Sequence, residues 1–368
     1  MTIMPSADSS SAPVTNPVRT IEHPGWIESQ ITLQEPADEA GLRIALEKLP
    51  GGGAETVIGV DLFGTQEQVC EMENRVRLAG IAAPVTPILS TSPLGGGMQI
   101  AAAAGVERAP LFLDGEIAGY LLEDAEARYC ILGGLKPRDA QSSREQQTEE
   151  VFAAIEKTLA RVEMGFDHVV RTWFYNEKIL EWYSSFNRVR TGFFTRHDIR
   201  RMPASTGIGA PNPARTALVA KAIAVCPATD GVRIRTVNSP LQCDAFAYGS
   251  AFSRALEVAD SRSRTLYISG TASIEPGGKS VHLEDPARQI ELTMDVVRGI
   301  LDEAGMKIEE TTRALAYFRD PSHLPLWEEH CRRHRLPPLP LLAVGSYVCR
   351  EDLLFEIEFD VSQPRIPA

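Results

Sequence analysis

One plan occurs twice in this chain, and it limits what the chain can fold into. The later copy contains "PARQIELTMDVVRGILDEAG", whose apolar spacing is that of a helix stopping at Gly305, followed by "EETTRALAYF", which reads as a strand. In the earlier copy, "TEEVFAAIEKTLARVEM" sets Val151, Phe152, Ile155, Leu159 and Val162 on one helical face. Gly165 is its expected stop, and "DHVVRTWFY" is the strand after it. Laying "EMGFDHVVRTWFY" on "EAGMKIEETTRALAY" pairs Gly165 with Gly305. After a two-residue insertion it pairs Arg171 with Arg313 and Tyr175 with Tyr317. A second helix follows in each copy ("ILEWYSSFNRV" and "LPLWEEHCRRH"), then a proline-containing turn and a final strand. Each unit is therefore expected to be α+β, a mainly antiparallel sheet with two helices packed on one face. The expected boundaries are a flexible N-terminal arm over residues 1–35, a first domain with additional strands over 36–230, and a second domain over 231–368. The additional strands are runs such as "ETVIGVDLFG" and "APLFLDGEIAGYLL".

The two final strands differ. In "LLFEIEFDV", Leu353, Phe355, Ile357 and Phe359 share one face, while Glu356, Glu358 and Asp360 share the other with Leu354. The earlier copy ends in "LVAKAIAV", Leu218 to Val225, which has no carboxylate. Laid on the later strand, it puts Ala220 opposite Glu356 and Ala222 opposite Glu358. The asymmetry predicts one acid site per chain; the competing reading is that the two copies bury different faces.

Composition removes some function classes. A formal net charge of −12 disfavours nucleic acid or an anionic membrane as partner, because both select a basic surface. The longest apolar runs are too short to span a bilayer, and "MTIMPSADSSSAPVTNPVRT" lacks the pattern of a secretory signal, so a cytoplasmic protein is expected. The six cysteines are scattered without a CxxC pair, as expected of reduced thiols. His330 and His334 sit four apart in the charged stretch "EEHCRRHR", which reads as a solvated helix face, and no metal is expected.

The stretches "AYGSAFSRAL", "LYISGTASI", "DPARQIELTMDVVRGILDEAG" and "CREDLLFEIE", in that order, resemble a RidA-like (YjgF, chorismate-mutase-like) domain over residues 233–361. The earlier copy resembles the same fold more weakly, through "VVRTWFY", "FNRVRTGFF" and "PASTGIG". Two fused RidA-like domains carrying "RTWFYNEKI" and "PASTGIG" resemble the chorismatase family, whose members split chorismate into pyruvate and a ring product. The resemblance implies a cofactor-free enzyme with one cleft between the two domains and a small-molecule substrate, chorismate. It implies a monomer or weak homo-oligomer with no nucleic-acid or membrane partner. It places Phe252, Gly270 and Glu356 in the cleft from the later copy, and the Asn187 region and "STGIG" from the earlier one. The carboxylate-binding arginine of RidA-type deaminases would fall near Ser205, where this chain has none, which disfavours imine deamination.

Chorismate is a dianion with an enol-pyruvyl ether. Cleaving that ether without a metal requires a proton on the enol methylene, a task for a carboxylic acid whose pKa is raised by burial. Glu356 is the candidate, with the alternative of a solvated strand glutamate; Glu358 reads as structural. Cations are needed for two substrate carboxylates. Arg171 and Tyr175 share a strand face with Trp173. "FNRVRTGFFTRHDIRR" holds five arginines, of which Arg188 is favoured. Arg254 is a third candidate, and Arg215 and Arg350 are weaker ones. Ser205, Thr206 and Gly207, in "STGIG", offer hydroxyls and backbone N–H groups for a small anion nest; a tight turn is the plainer reading. Cys349 is by default a buried thiol, but within the family a cysteine near the acid accompanies release of 3-hydroxybenzoate. Ala272 pulls the other way, because a smaller residue there would leave more room for ring rearrangement. The expected products are pyruvate and 3-hydroxybenzoate. The alternatives are hydrolysis to 3,4-dihydroxycyclohexa-1,5-diene carboxylate and a non-catalytic small-carboxylate binding protein.

Overall fold

The computed structural model describes residues 18–34, 38–93, 95–243 and 251–365. Part of "AYGSAFSRAL" and residues 1–17 of the expected arm lie outside these. Residues 18–34 do not belong to an arm: β1 (Val18–His23) and β2 (Trp26–Gln34) form an antiparallel hairpin.

The described residues build three sheets, not two. The N-terminal unit continues with α1 (Glu39–Glu47), β3 (Val57–Gly64), α2 (Gln66–Leu78), β4 (Val85–Leu89) and β5 (Gly97–Ala104), and its strand order is β1-β2-β5-β3-β4. The middle unit runs β6 (Ala109–Leu113), β7 (Glu116–Glu123), β8 (Ala127–Leu135), α3 (Arg144–Ala160), β9 (Val169–Asn176), α4 (Ile179–Arg196), β10 (Ala204–Ile208) and β11 (Leu218–Pro227). The C-terminal unit runs β12 (Arg233–Val237), β13 (Ala255–Ala259), β14 (Ser263–Ala272), α5 (Pro286–Ala304), β15 (Thr311–Phe318), α6 (Leu324–His334), β16 (Leu341–Gly345) and β17 (Phe355–Pro364). The sheet orders β10-β9-β11-β8-β7-β6 and β12-β13-β14-β17-β15-β16 are one topology. The N-terminal sheet is the same arrangement without its outermost strand. In every unit the last strand inserts between a hairpin and a parallel pair (β3–β4, β9–β10, β15–β16). The α+β reading, with mainly antiparallel sheets, is borne out.

Local signals explain the helix ends. Capping boxes at Thr65/Gln68 and Ser143/Gln146 start α2 and α3, and Asp285 caps α5 with Pro286 in its first turn. Gly305, at φ 65°, terminates α5 as expected. Gly165 does not terminate α3: its φ is −116°, and the left-handed residue is Glu163 at φ 54°.

Each helix pair covers one face of its own sheet. The other faces meet in a shared interior, where Phe63 and Ile88, Trp173 and Tyr175, and Leu315 and Tyr317 pack from the three units in turn. The junctions form a ring: β4 lies against β8, β10 against β14, and β16 against β2. Burial on both faces explains why a strand with three acids exposes none of them. Glu356, Glu358 and Asp360 are 4%, 0% and 6% exposed.

The structural register corrects the alignment of the final strands by one residue. Glu356 pairs with Tyr317, and Val219 pairs with the equivalent Tyr175. Glu358 pairs with Leu315, and Lys221 with the equivalent Trp173. Val219 and Lys221 are thus the counterparts, whereas Ala220 and Ala222 face the helices. A slip of one residue exchanges the faces of a strand.

Candidate active site

The acid lies at the junction of the middle and C-terminal units. Its cleft is lined by Tyr183 and Arg190 from α4, Ser205 and Gly207 from β10, and Phe252 and Arg254 ahead of β13. Gly270 and Ala272 from β14, Ile274, Cys349, Arg350 and Glu356 complete it. Edge strand β10 is held on β14 by Ser205 N donating to Ser269 Oγ at 2.8 Å and Gly270 N donating to Thr206 Oγ1 at 3.0 Å.

Gly270 is required by the acid itself. A Cβ there would stand 2.0 Å from Glu356 Oε1. The Glu356 carboxyl therefore lies over bare backbone. Burial first, and then the Glu358 carboxylate, push it up to about 8, against the pull of Arg254, Arg171 and Arg350. A carboxyl in this state carries a proton at neutral pH and can donate it.

Glu358, two residues on, has the opposite fate. Burial raises it, but Arg171 and Arg313, with hydrogen bonds from Thr206 and Trp173, outweigh burial and hold it below the usual carboxylate range. Two carboxyls on one strand face are thus driven apart, one towards the acid form and one towards the ion.

Three arginines line the cleft. Arg190 donates to Asn187 Oδ1 at 2.6 Å, and its guanidinium lies 5.7 Å from the Phe252 ring. Arg254 donates to Cys243 O at 3.1 Å and lies 5.4 Å from the same ring. Arg350 donates to Gly278 O at 2.8 Å. Phe252 is therefore flanked by two cations, each within cation–π distance of its ring. Burial, and then the neighbouring Glu356, push the Cys349 thiol up to about 12, with Tyr183 hydrogen-bonded to it. Cys349 is a neutral thiol here, and so neither a nucleophile nor a proton acceptor at neutral pH.

The structure brings Glu356, Cys349, Ser205, Gly207, Phe252, Arg254, Gly270 and Ala272 together. It sets other sequence candidates elsewhere. Arg171 is fully buried behind the cleft, with Nη2 on Glu358 Oε2 at 2.8 Å. Thr206 donates to the same carboxylate. Tyr175 is buried in the shared interior. Arg188 is on the outer side of α4, its side chain 68% exposed and within reach of Glu145 and Ser185. Residues of "STGIG" form strand β10 rather than an anion nest, and Gly209 N is taken by Tyr347 O at 2.7 Å.

Tyr183 and Arg190 are not among the sequence candidates. A signal for Arg190 is nevertheless present: it is four residues after Phe186 and three and four before Phe193 and Phe194, all buried, so it lies on the apolar stripe of α4 and not on its wet side. His330 and His334 converge on Glu291 at 3.1 and 3.0 Å. Arg333 is paired with that same carboxylate, so a cation already occupies its charge.

Comparison with known proteins agrees with this architecture. A family model described as Endoribonuclease L-PSP matches residues 132–226, which lie in the middle unit. A 3-hydroxybenzoate synthase from Streptomyces hygroscopicus is 27% identical over 225 residues, covering 53% of this chain and 64% of its own. The match thus spans less than two thirds of that relative. A crystallised chorismatase aligns at 20% identity over 85% of this chain and 96% of its own, with a TM-score of 0.61, which shows a shared fold. The chain is thus similar in sequence to a 3-hydroxybenzoate synthase and, over part of the middle unit, to the Endoribonuclease L-PSP family, and it is similar in fold to a chorismatase.

Proposed function

We propose that this chain is a chorismatase that cleaves the enol-pyruvyl ether of chorismate to pyruvate and 3-hydroxybenzoate, with Glu356 as general acid. The observation that carries this reading is the Glu356 carboxyl, held up at about 8 in a cleft that also presents Arg190, Arg254 and Arg350. A proton donor that works at neutral pH beside three cations suits a dianion whose reaction begins with protonation at carbon.

In the proposed reaction Glu356 gives its proton to the enol methylene, which becomes the methyl group of pyruvate. The adjacent carbon becomes oxocarbenium-like, and Glu356 is left as a carboxylate next to it. The carbon takes up one water equivalent as the ether opens, and the ring loses one as it aromatises, so no net water is consumed. Water addition and opening of the ether release one proton, which returns to Glu356, while the ring proton lost on aromatisation leaves with the ring hydroxyl as water. Arg190, Arg254 and Arg350 hold the substrate carboxylates, and Phe252 walls the ring. Cys349, as a neutral thiol beside Tyr183, shapes the space near the acid, and the homologous 3-hydroxybenzoate synthase supports the aromatic product.

The test is direct. The protein is incubated with chorismate, pyruvate is followed by a coupled assay, and the ring product is identified by mass and absorbance. Pyruvate with 3-hydroxybenzoate is expected. Pyruvate with the dihydroxydiene would move the assignment to hydrolysis, and binding without turnover would make the chain a carboxylate-binding protein.

A further inference from the structure

Glu358 touches no face of the cleft, yet it is the most heavily bonded side chain beside it. Its Oε1 accepts from Trp173 Nε1 and Arg313 Nη1, each at 2.8 Å, and its Oε2 accepts from Arg171 Nη2 at 2.8 Å and from Thr206 Oγ1. These donors come from β9, β10 and β15. The Thr206 hydroxyl is fully used: it donates to Glu358 and accepts from Arg171 Nη2 at 2.9 Å and Gly270 N at 3.0 Å. Gly270 is the residue over which the Glu356 carboxyl lies. A continuous path, Glu358 to Thr206 to Gly270, thus fixes the floor beneath the acid and ties the edge strand of one unit to the sheet of the next.

We propose that Glu358 is a positioning residue for the reaction, its fixed negative charge and its hold on Thr206 setting both the field and the geometry at Glu356. The inference rests on the reading of Glu356 as general acid. The two carboxyls are i and i+2 on one inner face, so they are neighbours in a site shielded from water. Among the described residues, the charged and titratable groups set around Glu356 are Glu358 on its own strand, Arg171 on β9, Arg254 before β13, Cys349 and Arg350 before β17, and Tyr183 and Arg190 on α4. Tyr317 is its cross-strand partner. Glu358 is the one fixed anion among them. It also occupies Arg171 and Arg313, with Asp360 and Asp61 as their further partners. Without it, those two cations act on Glu356 less compensated, so the lost anion and the released cations both favour the carboxylate.

The experiment is the pH profile of pyruvate release for Glu358→Gln against the parent protein. The alkaline limb is expected to move to lower pH by about one unit or more, a loss of about fivefold or more near pH 8 that approaches about tenfold at higher pH. Activity is expected to recover at low pH. A uniform loss at every pH, with the limb unmoved, would overturn the electrostatic part. Thr206→Val removes the hydroxyl bridge without removing a charge. It is expected to lower kcat across the profile with the limb in place, and Thr206→Ser to restore it. Full kcat in Thr206→Val would overturn the geometric part, and this arm stands if Glu358→Gln does not fold. Glu356→Gln separates the two readings. If it still turns over, the assignment of the acid fails; if it is inactive and the limb of Glu358→Gln stays put, only the role of Glu358 fails.

Discussion

The ring of three units makes the same kind of junction more than once, and two of these junctions are instructive side by side. Between the middle and C-terminal units, the edge strand β10 leaves room above Gly270 and the last strand sends Glu356 into it. Between the C-terminal and N-terminal units, β16 meets β2, and the residue paired with Phe63, in the register of Glu356, is Gly97. Backbone fills the space there. Gly95, Gly96 and Gly97 have φ values of 77°, 98° and 139°, and a Cβ on Gly95 or Gly97 would stand 2.1 Å from Ala343 O or 2.0 Å from Leu33 O. The groove beside them is lined by Leu324, Trp327, Leu339 and Leu341, with the charged Glu328 alongside. The same fold element therefore carries an acid and three arginines at one junction and mainly apolar closure at the other. Chemistry here belongs to particular side chains and not to the topology.

The comparison can be broken most severely at the acid. Glu356→Gln keeps shape and volume and removes the proposed proton donor, so kcat should fall by about 10²–10⁴ while the melting curve stays cooperative. Gly270→Ala comes next. Its methyl group meets the Glu356 carboxyl and displaces it, and a loss of about 10²-fold in kcat is expected, read at saturating chorismate. Gly97→Ala probes the junction without an acid. It should cost about 1–3 kcal/mol of stability in a denaturant melt, because both the φ and the contact with Leu33 O oppose it, and the kcat of the folded fraction should not change.

The pH dependence follows from the sign of the shift. As the proposed acid, Glu356 would donate only when protonated, and its folded value of about 8 lies above the ordinary carboxyl range. Activity on this account is full below about 8 and falls about tenfold per unit above it; a limb near the ordinary carboxyl value would contradict burial as the controlling effect. The smallest effect separates two arginines of α4. Arg190→Ala should raise KM about tenfold, and Arg188→Ala should change it less than about twofold, because one guanidinium faces the cleft and the other faces water. Equal effects would remove α4 from the site.

Much of this architecture is legible in the residues themselves. The helix–strand plan with its Arg171/Arg313 and Tyr175/Tyr317 correspondence shows two of the three units, and both pairs are structurally equivalent. The N-terminal unit is hidden. It lacks the outermost strand, Gly59 stands where the other copies have Arg171 and Arg313, and Phe63 where they have Tyr175 and Tyr317. Composition favours Arg188 as readily as Arg190, because both are arginines in a basic run, and which side of a helix faces the cleft depends on what packs on it.

The sequence by itself determined that one final strand carries acids its duplicate lacks, because alternation along a strand and the absence of Asp or Glu in "LVAKAIAV" are properties of the residues alone. Only the tertiary structure decided that this acidic face is interior. Water would have left Glu356, Glu358 and Asp360 alike. The packing of three sheets around one core gives Glu358 two arginines and gives Glu356 a glycine floor, and that difference in neighbours keeps one carboxyl ionised and the other protonated.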